Sequence, residues 1–459
     1  MTLLQAFLQI VQHWRGVFPQ QRSHQRAIRQ SLGLLLCLGR RTLSRVIWTN
    51  GGQHRSWSAE YFLHSRCCWD PQQLFTPILQ RALPFCPGRY IGMAVDDTRL
   101  RKTGPCIQQA FYQRDPLSPP FHVNLMLGLR FLQASLLVPL YRQACVSCRA
   151  LPIRFQEASV VKRPKRHAPP QQWLSYRIAV RHHNLSVKFV LMMTQLRQAL
   201  DAAGASVQTL VLAVDGSFCN RTVFASSVPR TEILARTRKD AQLCFPAPAR
   251  SHRFYHQAKF TPEQVRHDES APWHDCKIFY GGKWRKVRFK DIVGLHWQGG
   301  ARRRLLRLLV VAPTPYRKRK SGRFYYRQPS YLLTTALQGK ARTLLQIYFD
   351  RWQIEVNHRE EKDTLGVGQA QLWNVTSVPK QPVLAVASYS ALLLASLVAF
   401  GPSRGQAYAA LPKWRRQARR PSCLDLITLL RKEATQNPDL TASVGLEPSL
   451  QTLTSAAAA

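Results

Sequence analysis

Three short stretches of this 459-residue chain combine the residue types that phosphate chemistry requires. The first is Tyr348, Arg351, Glu355 and Lys362: a phenol, a carboxylate and two cations in one short stretch of the chain. At about 100° per residue, the four fall within an arc of roughly 60° on one helix face. The other two stretches are apolar, β-like runs that end in carboxylates. Tyr90 to Val95 leads into Asp96-Asp97, and Leu210 to Val214 leads into Asp215. Two strand-borne aspartates and a helix-borne glutamate are the parts of a two-metal phosphoryl-transfer site, and hard carboxylate oxygens select Mg²⁺, or Mn²⁺ in its place, over zinc. Successive strand side chains face opposite ways, so only one of Asp96 and Asp97 serves as a ligand; the other is placed to cap the turn with Thr98. On the helix, Arg351 and Lys362 would clamp phosphate and Tyr348 would donate to a phosphate oxygen. A salt-bridged surface helix, with Glu355 between Arg351 and Arg359, would explain the same spacing. Trp352 and Ile354, which would bury part of that helix, argue against it.

The composition says which phosphate. Lys and Arg total 66 against 24 Asp and Glu, for a formal charge of +42 and a pI near 10.8. Such an excess reads as a polyanion partner, nucleic acid, while 45% hydrophobic residues make the chain globular rather than a basic tail. Eleven scattered cysteines, with only Cys145 and Cys148 at metal-ligand spacing besides the adjacent Cys67-Cys68, read as free thiols in a reducing cytoplasm. A zinc module at Cys145 and Cys148 is the minor alternative. The N-terminus has helical periodicity in Leu3, Phe7, Ile10, Val11 and Trp14 and no basic leader, so the expected location is cytoplasmic and nucleoid-associated. Val383 to Phe400 is just long enough to span a bilayer. Its Ser388, Tyr389, Ser390 and Ser396 and its alanines favour a buried core helix, with no membrane partner.

The surrounding elements must position those residues. Residues 1–85 read as a helical DNA-binding domain, with Gly39 turning into a short basic helix, Arg40 to Val46, of the helix-turn-helix kind. Residues 86–244 and 336–402 read as the α/β core. Phe121 to Leu129 and Leu132 to Tyr141 are two expected strands, Val187 to Ala203 an expected helix, and Val161 to Pro170 a basic, Pro-rich loop. Residues 245–335 read as a β-rich insertion, with Arg302-Arg303-Arg304 and Arg317 to Lys320 beside Tyr325 and Tyr326, suited to gripping a DNA backbone. Residues 403–459 read as a basic segment, Lys413 to Arg420, followed by a tail expected to be disordered.

Tyr348-x2-Arg351-x3-Glu355-x6-Lys362 resembles the Tyr-Arg-Glu-Lys signature of bacterial DDE transposases of the IS-four type, relatives of the Tn-five transposase. Asp97-Thr98, with Lys102-Thr103-Gly104 behind it, resembles that family's first aspartate motif, and Asp215-Gly216-x-Phe218 its second. Asp97 and Asp215 are 118 residues apart, and Asp215 and Glu355 are 140 apart, room for the β-rich insertion that such proteins carry. The resemblance spans roughly residues 85–400. It implies a ribonuclease H-like core in which Asp97, Asp215 and Glu355 bind two metal ions, with Asp96 as the alternate first ligand. It also implies that Tyr348, Arg351 and Lys362 hold the terminal phosphate, and that Arg236, Arg238 and Lys239 contact DNA. The implied activity is excision of double-stranded DNA at terminal inverted repeats and strand transfer to target DNA, carried out by a homodimer holding two ends. Several relatives hold a flipped base against a tryptophan of the insertion, for which Trp273, Trp284 and Trp297 are candidates. Two other readings keep the same residues: a ribonuclease H-like endonuclease without strand transfer, and a catalytically silent DNA-binding relic.

Overall fold

The computed structural model describes residues 1–446 except 105, 116, 117, 120, 250, 320, 416 and 417. The chain forms two compact units of mixed α/β structure. One comprises Met1–Phe85, Asp97–Tyr176 and Ile354–Ala459; the other comprises Cys86–Asp96 and Arg177–Gln353. The strand β1 (Tyr90–Arg101) contributes its first half to the second unit and its second half to the first. Asp96 and Asp97 therefore lie within a strand, not at its end, because the strand continues past the apolar run.

The first unit is built around an apolar helix, Ser377–Phe400, buried from Val383 to Leu397. It packs on the helices Leu3–Gln12 and Gln21–Leu36 and on a β-hairpin-like layer, and Ser390 donates to the Pro152 carbonyl at 2.6 Å. This is the one stretch that is long and apolar enough to cross a membrane among the described residues, and here it is core. In the layer, β2 (Phe111–Arg114) and β4 (Arg149–Glu157) pair antiparallel with β3 (Leu125–Val138), and Phe131 stacks on Phe155 with ring centres 4.5 Å apart. The two strands expected over Phe121–Tyr141 are thus one. Arg130 sits mid-strand with its guanidinium on Asp97, so its charge needs no turn. Helix Cys423–Gln436 also corrects an expectation, since this part of the tail is ordered. Leu426, Ile427, Leu430 and Ala434 are buried at helical spacing, and the Glu433 carboxylate accepts from the first amides of the N-terminal helix, Leu3 at 3.2 Å and Leu4 at 2.7 Å. Residues 447–459 of that tail lie outside the described residues.

After Gly39, whose φ is +71°, Thr42 caps a seven-residue helix, Leu43–Thr49. Ser44, Arg45 and Trp48 are exposed while Leu43, Val46 and Ile47 are buried. Arg41 turns inward to the Leu34 carbonyl and is not part of the exposed face. All eleven cysteines are free thiols, and no metal-ligating group forms around Cys145 and Cys148 among the described residues.

In the second unit the first half of β1 pairs parallel with β5 (Thr209–Val214), and β5 pairs parallel with β6 (Thr231–Arg236). The order continues through β12 (Ser330–Thr334), β9 (Leu306–Val311), β8 (Lys283–Leu295) and β7 (His274–Tyr280), all antiparallel. The β-rich residues 245–335 therefore extend this unit's sheet, because β12 pairs with both β6 and β9. The hairpin β10 (Pro315–Arg317) and β11 (Phe324–Tyr326) stands as its own two-stranded sheet. The expected helix at Val187–Ala203 is observed as Leu185–Ala202, capped by Asn184 on the Val187 amide at 3.0 Å. Its Phe189 packs on Phe218, with ring centres 4.8 Å apart, and fixes the turn after Asp215.

Candidate active site

The parallel pairing of β1 and β5 runs in register from Tyr90 opposite Thr209 to Val95 opposite Val214. Partners in a parallel pair project to the same face, so continuing one step sets Asp96 beside Asp215 on the face of Gly92 and Ala94. Helix Ala341–Asp350 covers that face. Gly92 permits the approach, because a Cβ there would stand 3.1 Å from the Ile347 side chain. One turn beyond Ile347, Arg351 brings its guanidinium to 3.6 Å from the Asp96 carboxylate, with both side chains mostly buried. Asp215 is less enclosed. Its carboxylate accepts from the Ser217 amide at 2.8 Å and the Ser217 hydroxyl at 2.6 Å, closing the turn Gly216–Phe218. Asp96, paired with the Arg351 guanidinium, and Asp215 thus follow directly on the last residues of the parallel pairing, Val95 and Val214, the kind of place where α/β sheets put their ligands.

Asp97, in the other unit, has different partners. Arg130 Nε donates to it at 2.8 Å, and it exchanges charge interactions with His358 and Lys362. Glu355 is half-buried on the helix Gln353–Arg359 of the same unit. His358, three residues on, is pushed down to about 3 by burial first and the Lys362 charge second, with Asp97 opposing, so it is a neutral imidazole at physiological pH. Burial likewise lowers the Lys362 ammonium, with the neighbouring Glu361, Asp363 and Asp97 holding it up.

The expected single helix face for Tyr348, Arg351, Glu355 and Lys362 is not preserved. The α-helix Ala341–Asp350 ends in a turn at Arg351 and Trp352, a second helix runs from Gln353 to Arg359, and a π-helical turn spans Glu360–Thr364. The Leu365 amide donates to the Glu360 carbonyl five residues back, at 3.0 Å, so the 100° step that put Lys362 in line does not apply there. The boundary between the two units falls at Gln353 and Ile354, leaving Tyr348 and Arg351 with Asp215, and Glu355 and Lys362 with Asp97.

A family model described as a DDE superfamily endonuclease matches residues 16–294. The chain belongs to the DDE superfamily of endonucleases. The match takes in Asp96, Asp97 and Asp215 and ends before the Tyr348–Lys362 stretch. No curated protein matches the chain. For an endonuclease the substrate is DNA, which agrees with the charge of +42. The mixed α/β fold, with an aspartate directly after the parallel-paired run of each of two neighbouring strands, fits a DDE nuclease.

Beside Asp215 the endonuclease has a cleft of about 920 Å³, reached from Gly216 and walled by Arg236, Arg238, Lys239, Arg266 and Trp297. Arg236 and Lys239 are exposed, and Arg238 is exposed and paired with Asp240 at 2.6 Å. Arg266 is held differently: it donates to Glu263, and with Tyr331 it keeps that carboxyl down to about 2, the Arg266 hydrogen bond being the larger cause. Of the three tryptophans considered, Trp297 is the one on this cleft, edge-on to Phe224 at 5.8 Å. Trp273 lies beneath Arg288 and Lys290, and Trp284 lies edge-on to Phe279.

The carboxylate donors suit hard divalent cations, and Asp96 and Asp215 are aligned by register. Among the described residues no three His, Cys, Asp or Glu side chains are gathered closely enough to hold one ion. Sequence reasoning missed Arg130, His358 and the Gln133–Glu361 pair, in which Gln133 Nε2 donates to Glu361 at 2.9 Å. His358 alone left a signal, three residues from Glu355 and so on its helix face.

Proposed function

We propose that this DDE endonuclease is a transposase of the IS-four type, which cuts an insertion sequence at its terminal inverted repeats and joins the freed 3′-hydroxyls to target DNA. The observation that carries the reading is the alignment of Asp96 with Asp215 at the strand edge, with Arg351 of the signature stretch on Asp96 and a cationic cleft next to Asp215. A ribonuclease H-like core is the fold this reading expects. Asp215 and Glu355 are two of its carboxylates; the first ligand is Asp97 by the motif, or its alternate Asp96, the one that the strand alignment sets on the face of Asp215, and the set would hold Mg²⁺ or Mn²⁺. Bound there, the ions supply activation of the attacking oxygen and stabilisation of the leaving one. The protein's own groups bind and orient. Arg236, Arg238 and Lys239 take the duplex backbone; Arg351, Lys362 and Tyr348 fix the phosphate to be cut. A homodimer holding two ends is the active form in this reading.

The test is incubation of purified protein with DNA bearing the gene's flanking repeats, in Mg²⁺ or in EDTA, with Asp215→Ala and Glu355→Ala as controls. End-specific, metal-dependent cuts followed by joined products are expected, and both variants should lose several kcal/mol of transition-state stabilisation, on the order of a thousandfold in rate. DNA binding should largely survive in both, since the cations lie elsewhere. Cutting without joining would reduce the reading to an endonuclease, and retained cleavage in both variants would sink the site.

A further inference from the structure

In the unit that carries Asp97, a pocket of about 990 Å³ lies next to Lys362 and has no role in the account so far. Its floor is apolar: Leu100 and Ile107 are buried, Met126 is half-buried, and the indole of Trp373 is 69% exposed at the wall. An exposed aromatic face above an apolar floor suits a planar ring. Its rim is cationic, with Arg40, Arg99, Arg101, Lys102 and Lys362 set against the single carboxylate of Asp115. The Arg99 Nε is buried and has no hydrogen-bond partner among the described residues.

The pocket is held open by its own framework. Gly368, with φ of +97°, lies so close to β1 that a Cβ there would stand 3.2 Å from Leu100 Cβ. Lys102 Nζ donates to the Gly368 carbonyl at 2.7 Å, and the Gln369 side chain accepts from the Arg41 amide at 3.0 Å. The segment Val367–Trp373 is therefore tied to the strand and to the N-terminal helices of its unit. Its volume is at the upper end for small-ligand pockets. Lys362 on its wall interacts electrostatically with both Arg99 and Asp97, so this rim lies within electrostatic reach of a candidate catalytic carboxylate.

We propose that this pocket takes an unpaired nucleotide of a DNA strand, with its base on Trp373 and the apolar floor and its phosphate among Arg99, Arg101 and Lys362. The inference rests on the reading of DNA as substrate but not on cleavage, so it is tested without metal. Full-length protein in EDTA is titrated into a blunt duplex and into the same duplex with a short single-stranded extension carrying 2-aminopurine. Stacking on one aromatic side chain should favour the extended DNA by about tenfold or more and change the 2-aminopurine emission. Trp373→Ala, and separately Ile107→Trp to fill the floor, should remove that preference while leaving blunt-duplex affinity unchanged. Equal binding of the two DNAs, or equal weakening of both by Trp373→Ala, would overturn the proposal. Displacement of the extension by dAMP at comparable concentration would also overturn it, in favour of a free nucleotide. A protein that stacks the extension yet never cuts keeps the pocket and loses the transposase reading.

Discussion

Glu361, next to the signature lysine, is fully buried, and burial pushes its carboxyl up from 4.5 to about 8; the Gln133 hydrogen bond and the Lys362 charge only partly offset this. Replacing it by glutamine should make the protein more stable at neutral pH. The sign follows from linkage: between pH 4.5 and 8 the unfolded chain releases this proton while the folded one keeps it, so rising pH lowers the stability of the wild type across that window. At pH 7 the group opposes folding by about 3 kcal/mol, and above pH 8 by about 5 kcal/mol, both upper bounds that relaxation and water entry would reduce. Glu361→Gln removes the penalty without changing shape. Its amide oxygen can still accept from Gln133 Nε2, and Gln133 Oε1, buried and without a partner among the described residues, is an acceptor on the same side chain for its amide nitrogen. Urea unfolding of both proteins at several pH values from 5 to 8 reads the effect. The variant should gain little at pH 5 and on the order of 2 kcal/mol or more at pH 7.5, after that discount. A gap that does not widen with pH, or a variant less stable throughout, would refute the claim that Glu361 is held neutral.

Three further outcomes follow from the site. Asp97→Ala should abolish cleavage while Asp96→Ala keeps part of it; the reverse ranking in the same assay would assign the first ligand to Asp96, as the alignment with Asp215 allows. Arg351→Ala should weaken binding of the cut end and lower the slope of log affinity against log salt by about one, the mark of one lost phosphate contact, and an unchanged slope would confine Arg351 to its pairing with Asp96. Gly92→Ala should cost about 1–3 kcal/mol in an unfolding titration by pressing a methyl into Ile347 and displacing the helix that leads to Arg351; a neutral result would mean that this helix adjusts freely.

What the sequence made legible was what local chemistry dictates. Tyr90 to Val95 and Leu210 to Val214 are apolar runs buried on both faces, and both are strands. Asn184 and the apolar spacing after it give a helix within two residues of its expected ends. Asp96 and Asp215 could be suspected because each follows such a run. What stayed hidden depends on partners distant in the chain. Arg130 is tolerated inside a strand only because Asp97, 33 residues earlier, neutralises it. The helix Cys423–Gln436 holds its place through a core that includes residues some four hundred positions away, and Glu433 reads as a solvated charge until Leu3 and Leu4 present their amides to it.

The signature stretch shows the same limit at the candidate site itself. Its residue types were legible, but the one-face argument assumed a uniform α-helix, and a π turn begins where Glu360 and Glu361 enter the core. Glu360 accepts from the buried Tyr389 hydroxyl and Glu361 from Gln133, so two adjacent carboxyl side chains are both drawn inward. A regular helix turns neighbouring side chains about 100° apart, which makes two adjacent inward anchors hard to satisfy. The wider turn is the backbone's answer, and it rotates Lys362 to the side where Asp97, Arg99 and the nucleotide pocket lie. On this argument Lys362, besides its place at the phosphate to be cut, also reaches the phosphate of the unpaired nucleotide, a contact that Arg351 does not share. Lys362→Ala should therefore reduce the preference for an unpaired extension, whereas Arg351→Ala should not.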